Sequence, residues 1–185
     1  MTKYLIKLSA DVEESDEKTI GSYFHVLNDL ERIGDHALNL VESAEELNEK
    51  SLSLSDAAKH EISVLIRAVS EIVELSFEAF RTNDLQKAYL VEPLEQVIDD
   101  LKEKLRIHHI LRLQQGACSI ETGFVWSDLL NALERVGDHC SNIAGCVVDM
   151  AHHDMNTHEA LRSARVENEH FSQQYKDYAK KFSLK

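Results

Sequence analysis

Residues 28–40 read NDLERIGDHALNL, and residues 131–143 read NALERVGDHCSNI. Eight of these thirteen positions are identical at a shift of 103, and two more are Ile/Val and Leu/Ile exchanges. Working outward, Leu27 matches Leu130, and Tyr23 meets Trp126 as a second aromatic pair. A match of this length marks duplication of a unit of about a hundred residues. Both copies lie in runs with helical periodicity. Around the first, Ile20, Tyr23, Phe24, Leu27, Leu30, Ile33, Ala37, Leu40, Ala44 and Leu47 recur three and four apart.

The same reading extends along the chain. A helix is expected from about Asp16 to Glu49, then one capped by Ser55 or Asp56 that carries Ile62, Leu65, Ile66, Val69, Ile72, Val73 and Phe80. Thr82-Asn83-Asp84 breaks it. A third runs from about Asp84 to Gln114, with a kink or restart near Val91 because Pro93 lacks an N–H. Gln115-Gly116-Ala117 is a turn, and a fourth helix spans about Ser119 to Ala151. His152 to Asn156 is expected to be a loop, and Asn156 with Glu159 a capping pair for a polar last helix from Thr157 to Phe182. Short connections between long helices imply antiparallel neighbours, so the expected fold is an all-α antiparallel bundle.

The second motif falls on the third helix of its unit, whereas the first begins only 27 residues after Met1. The expected organisation is therefore a truncated first repeat over 1–50, a complete second repeat over 51–153, and a C-terminal polar helix over 154–185. Shifted back by 103, Tyr4–Ser9 corresponds to Ile107–Arg112 at the end of a second helix. An open edge left by missing helices exposes an apolar stripe and predicts self-association into a homo-oligomer.

Composition narrows the function classes. Six Gly and one Pro in 185 residues are too few for a fold of many short strands. A formal charge of −13 opposes nucleic-acid backbones and anionic lipid. Three cysteines, Cys118, Cys140 and Cys146, without a C-x-x-C pair fit a reducing compartment such as the cytoplasm. Cys140 and Cys146 are expected to fill the core as small apolar groups. No stretch approaches the roughly 20 apolar residues of a membrane helix.

The repeated motif carries carboxylates at a functional spacing. Glu31 and Asp35, and Glu134 and Asp138, are four apart and lie only about 40° from each other around a helix. Such like charges repel unless a cation sits between them. Leu30, Ile33, Ala37 and Val41 form the adjoining core face, and Gly34 and Gly137, near that stripe, point to close helix approach. On the third helix Glu92, Glu95 and Asp99 share one face. If the third and fourth helices pack antiparallel, Glu95, Asp99, Glu134 and Asp138 converge into an all-oxygen site for a hard cation or for iron, manganese or zinc. Arg32 and Arg135 can instead pair with these carboxylates, and His36 and His139 suit hydrogen bonds across a helix interface. His108 and His109, being adjacent, cannot both point inward. The first-copy pair lacks its facing carboxylates, because the position equivalent to Glu95 precedes Met1.

L-E-R-I-G-D-H and L-E-R-V-G-D-H, doubled about a hundred residues apart, resemble the signature of the PhoU family of phosphate-uptake regulators. The stretch from Glu92 to Asn142 looks most like the PhoU-like tail of bacterial sodium/phosphate cotransporter-type membrane proteins. The resemblance covers about Thr2 to Met150. It implies tandem three-helix repeats and multinuclear iron, zinc or similar clusters on the E-x-x-x-D faces. It also implies a non-enzymatic role in phosphate transport through contacts with a transporter or its membrane domain. By position Glu31, Asp35, Glu134 and Asp138 inherit the motif role, with Glu95 and Asp99 as the partner-helix pair.

Two other readings stand beside this one. A ferritin-like carboxylate-bridged metalloenzyme needs E-x-x-H on two helices, and only Glu167–His170 fits. A plain helical scaffold would use the acidic faces for solubility alone. His152, His153, Asp154 and His158 read as a solvated loop tip. No nucleophile elbow or phosphate-binding loop is present, so hydrolase and NTPase readings have no support.

Overall fold

The computed structural model describes residues 14–152 and 170–184. Four long helices run in order: α1 (Glu14–Glu49), α2 (Asp56–Thr82), α3 (Leu85–Gln114) and α4 (Ile120–His152). A shorter helix, α5, covers residues 170–181. No strand occurs among the described residues. None of their helices is long and apolar enough to cross a membrane. The Asn156–Glu159 capping pair, the start of the last helix at Thr157, His153, Asp154, His158, Glu167 and the Tyr4–Ser9 match lie outside the described residues.

Local chemistry sets the helix ends. The Ser55 hydroxyl accepts the Ala58 N–H at 3.2 Å and caps α2. Asn83 adopts a left-handed conformation (φ 51°), and its N–H returns to the Ala79 and Phe80 carbonyls. Asp84 then caps α3 by accepting the N–H groups of Gln86 at 3.0 Å and Lys87 at 3.2 Å. Caps of this kind each contribute about 1 kcal/mol. Gly116 takes φ +67° in the turn between α3 and α4, a conformation that favours glycine. The Ser119 hydroxyl accepts the Thr122 N–H at the start of α4.

Of the kink or restart expected near Val91, the restart does not occur. α3 is continuous from Leu85 to Gln114, with Pro93 buried inside it and no restart at Val91. The missing N–H removes a single hydrogen bond, whereas Val91, Leu94, Val97 and Ile98 are buried on either side and hold the helix together.

The main core lies between α2, α3 and α4. Leu65, Ile72, Leu94, Ile98, Leu105, Trp126 and Val147 are fully enclosed there. Each side chain of this size contributes about 1.5–3 kcal/mol of apolar burial. Cys140 fills the same core, as expected, whereas Cys146 is only half-buried.

α1 packs mainly along α4. It buries Val26, and Ile33 and Leu40 lean against the main core. The expected core face on this helix is otherwise wrong. Leu30 is 37% exposed and Val41 53%, and Ala37 is also exposed. Their counterparts one repeat later, Leu133, Cys140 and Ala144, are at most 4% exposed. The difference is physical: α2 and α3 cover the α4 stripe, and no described helix covers the equivalent stripe on α1. Close approach at the paired glycines also fails. A Cβ on Gly34 would meet nothing within 4 Å, and one on Gly137 would make ordinary contact with Ile98 at 3.6 Å.

Candidate metal centre

The antiparallel packing of α3 on α4 brings four of the sequence-derived carboxylates to one seam. Glu95 and Asp99 come from successive turns of α3, and Asp138 from the middle of α4. These three each offer an oxygen within 4.8 Å of the others, and all are half-buried. Burial, then Asp99 and Glu92, pushes the Glu95 carboxyl up to about 7. Burial and the neighbouring Glu134 raise Asp99 and Asp138 as well, with Arg135 working against the shift at Asp138. Raised carboxylates mark a site where acids are withdrawn from water and crowded together without enough compensation.

Glu134 sits beside this group but is held elsewhere. Lys102 of α3 contacts it at 2.9 Å, and the Arg135 guanidinium lies 3.8 Å away. Arg135 also donates to Asp138 at 3.1 Å. Lys102 is one turn beyond Asp99, so the helix that supplies two acids also supplies the cation that neutralises a third. Glu92 accepts a hydrogen bond from the Ser141 hydroxyl at 2.6 Å, which ties it to α4 on the far side of Glu95.

Glu31 and Asp35 are not part of this group. Both are exposed, and Arg32 reaches Asp35 only at 4.0 Å. Among the described residues they join no group of three or more possible metal ligands.

Of the two motif histidines, His139 makes the expected hydrogen bond across a helix interface. His139 Nδ1–H donates to Asp29 at 2.9 Å, and the Asn142 amide donates to the same oxygen at 3.2 Å. His36 stacks on His139 with ring centroids 5.5 Å apart. Of the adjacent pair, His109 is buried against Trp126, and His108 is held at the rim by Glu61 at 2.8 Å.

Sequence reasoning overlooked Lys102 and Asp29. Lys102 was readable as the i+3 neighbour of Asp99, although its reach to Glu134 depends on the register of two helices. Asp29 was readable as a difference between copies, since Ala132 stands at the equivalent place.

The donor set fits a cation. Three half-buried oxygen ligands from two helices suit a hard ion, or iron, manganese or zinc completed by water. Glu95, Asp99 and Asp138 would hold it, and Glu134 would join only by releasing Lys102. The pair Glu31 and Asp35 does not fit, because two exposed carboxylates on one helix offer neither a cage nor shielding from water.

A PhoU domain model matches residues 62–147, which cover most of α2, all of α3 and most of α4. Over these residues the chain carries a PhoU domain. Among its relatives, the phosphate-specific transport system accessory protein PhoU homolog 1 of Thermotoga maritima is 28% identical over 155 residues, covering 77% of this chain and 66% of the relative. The PhoU homolog of Pseudomonas aeruginosa is 31% identical over 136 residues, covering 72% and 54%. That of Clostridium acetobutylicum is 26% identical over 141 residues, covering 75% and 62%. The chain thus spans less than two thirds of the length of these PhoU relatives. No solved structure matches it.

Proposed function

We propose that this PhoU-domain chain is a non-enzymatic regulatory module of phosphate transport that works through protein contacts, with a metal ion joining α3 to α4. The convergence of Glu95, Asp99 and Asp138 carries this reading. A cation there would offset the burial and the mutual repulsion that raise all three acids, and would fasten the two helices at mid-length. The relatives named as phosphate-specific transport accessory proteins supply the biological direction. The partner in this reading is a phosphate transporter or its membrane domain. The chain would then act at the cytosolic face as part of a sodium/phosphate cotransporter-type protein.

In the same reading α1 belongs to a first repeat over 1–50. The complete repeat covers 51–153, and 154–185 is an addition. The bare stripe on α1 supports this division, because its duplicate on α4 lies under a helical pair. It also supports homo-oligomerisation when nothing else covers it.

The test is uptake of labelled phosphate by bacterial cells lacking their own PhoU-type protein, with and without this chain. A change of about twofold or more is expected, abolished in E95Q/D138N. Unchanged uptake contradicts the regulatory reading.

A further inference from the structure

A cavity of about 340 Å³ lies between α3 and α5. Protein interiors rarely leave a void much larger than a water molecule, whereas small-ligand sites enclose about 300–1,000 Å³. One wall is a stripe of α3, where Val97, Leu101, Lys104 and His108 recur at i, i+4, i+7 and i+11. At about 100° per residue this stripe is on the opposite face of α3 from Glu95 and Asp99. The other wall is α5, with Tyr175, Ala179 and Phe182. α5 is anchored there: Phe182 is buried in the main core, the Tyr175 hydroxyl donates to Asp100, and Lys181 donates to Glu71 of α2.

The apolar part of the lining is continuous with the core. Val97, Leu101 and Phe182 are each 3% exposed, and Ala179 and Leu184 pack against the same cluster. Water against such walls is displaced favourably by hydrocarbon. The polar part of the lining is mostly committed. Asp100 accepts from Tyr175, and His108 Nδ1 lies 2.8 Å from Glu61. Ser183 adds a hydroxyl. Lys104 is left over. It is exposed, one turn beyond Asp100, and among the described residues it makes no ion pair. A chain of net charge −13 has acids to spare, yet this ammonium has no counter-charge. The cavity thus offers hydrocarbon walls and one free positive charge, and its complement is an apolar chain that ends in an anion. The helix rises about 10 Å from Val97 to Lys104, which is the reach of a chain of about eight carbons.

We propose that the cavity between α3 and α5 is a binding site for a medium-chain monocarboxylate. Its hydrocarbon lies against Val97, Leu101 and Phe182, and its carboxylate pairs with Lys104. The bound acid touches both helices and fastens α5 to α3. The site uses none of the residues of the acidic cluster or of the α1 stripe, so it stands or falls separately from the regulatory reading.

The probe is octanoate, titrated calorimetrically into the full chain and compared with octanamide, which has the same chain and no charge. Octanoate is expected to bind at a single site in the sub-millimolar range, about tenfold or more tightly than octanamide. K104Q alters an exposed side chain, so the fold should hold. It is expected to bring octanoate down to the affinity of octanamide and to leave octanamide unchanged. A179L projects into the cavity and is expected to weaken both probes by about tenfold or more. The proposal is overturned by no binding of octanoate at about 5 mM, or by equal affinity of the unaltered chain for the two probes. K104Q binding octanoate as the unaltered chain does, or a cooperatively melting A179L binding both probes unchanged, overturns it as well. Amide exchange needs no variant. Saturating octanoate should slow exchange over 175–181 by about tenfold and leave the first half of α1 unchanged. Unaltered exchange in α5 contradicts a ligand held between the two helices.

Discussion

His36 and His139 occupy the same position in the two copies of the repeat, and their rings stack at 5.5 Å where α1 crosses α4. The duplicated helices thus meet back to back about a local two-fold relationship. Asp29 breaks that symmetry. It is buried and accepts hydrogen bonds from His139 and Asn142, whereas Ala132 stands at its equivalent place.

Replacing Asp29 should therefore loosen the seam from one side. D29A leaves the His139 and Asn142 donors facing an apolar gap, which costs about 1–3 kcal/mol. For a chain of this size that corresponds to a fall in Tm of roughly 2–10 °C. Thermal unfolding followed by circular dichroism measures it, and an unchanged Tm would remove Asp29 from the seam's support.

Glycines on α1 and α4 should separate by what surrounds them. A Cβ on Gly123 would lie 2.8 Å from Nε2 of His109, whose ring is pinned against Trp126. G123A is expected to cost about 1–3 kcal/mol through overpacking. G34A has open space and should gain up to about 1 kcal/mol of helix propensity. Denaturant titration of both variants checks the sign of each change.

The exposed stripe on α1 yields a hydrodynamic expectation. L30E/V41E places charge where Leu30 and Val41 meet solvent, so helicity should remain. The unaltered chain should sediment as a dimer or larger species, and the variant as a monomer. A monomeric unaltered chain at tens of micromolar would contradict self-association through this face.

The acidic cluster sets a pH dependence. Glu95 titrates near 7 in the folded chain and at its ordinary value of 4.5 when unfolded. Between these values the folded state holds a proton that the unfolded state has lost, so stability declines as pH rises from about 4.5 to 7. In chelator, the Tm of the chain relative to E95Q should fall between pH 5 and pH 8. His36, held below its usual range chiefly by burial, acts in the opposite sense below pH 6.5 and cancels in the comparison. A constant difference across this range would mean that Glu95 is not protonated near neutrality.

The helices and the meeting of α3 with α4 were legible in the sequence because they follow from local rules. Ser55, Asp84 and Gly116 mark helix ends by their own chemistry, and Glu95, Asp99 and Asp138 share faces through helical spacing alone. The rest depended on relations between helices. That Lys102 holds Glu134 is a matter of register between α3 and α4. That Leu30 and Val41 face solvent follows from which helices cover them, and a periodic pattern records only that a cover is wanted. Pro93 does not end α3 because the apolar neighbours that hold the helix together are tertiary.

Elemental analysis of the chain purified without chelator, beside its E95Q/D138N and E31Q/D35N variants, bears most directly on a cation joining α3 to α4. Iron, zinc or manganese should be retained by the unaltered chain and by E31Q/D35N, and should fall by about tenfold or more in E95Q/D138N with helicity preserved. Equal metal content in all three proteins, or none in any of them, would contradict it.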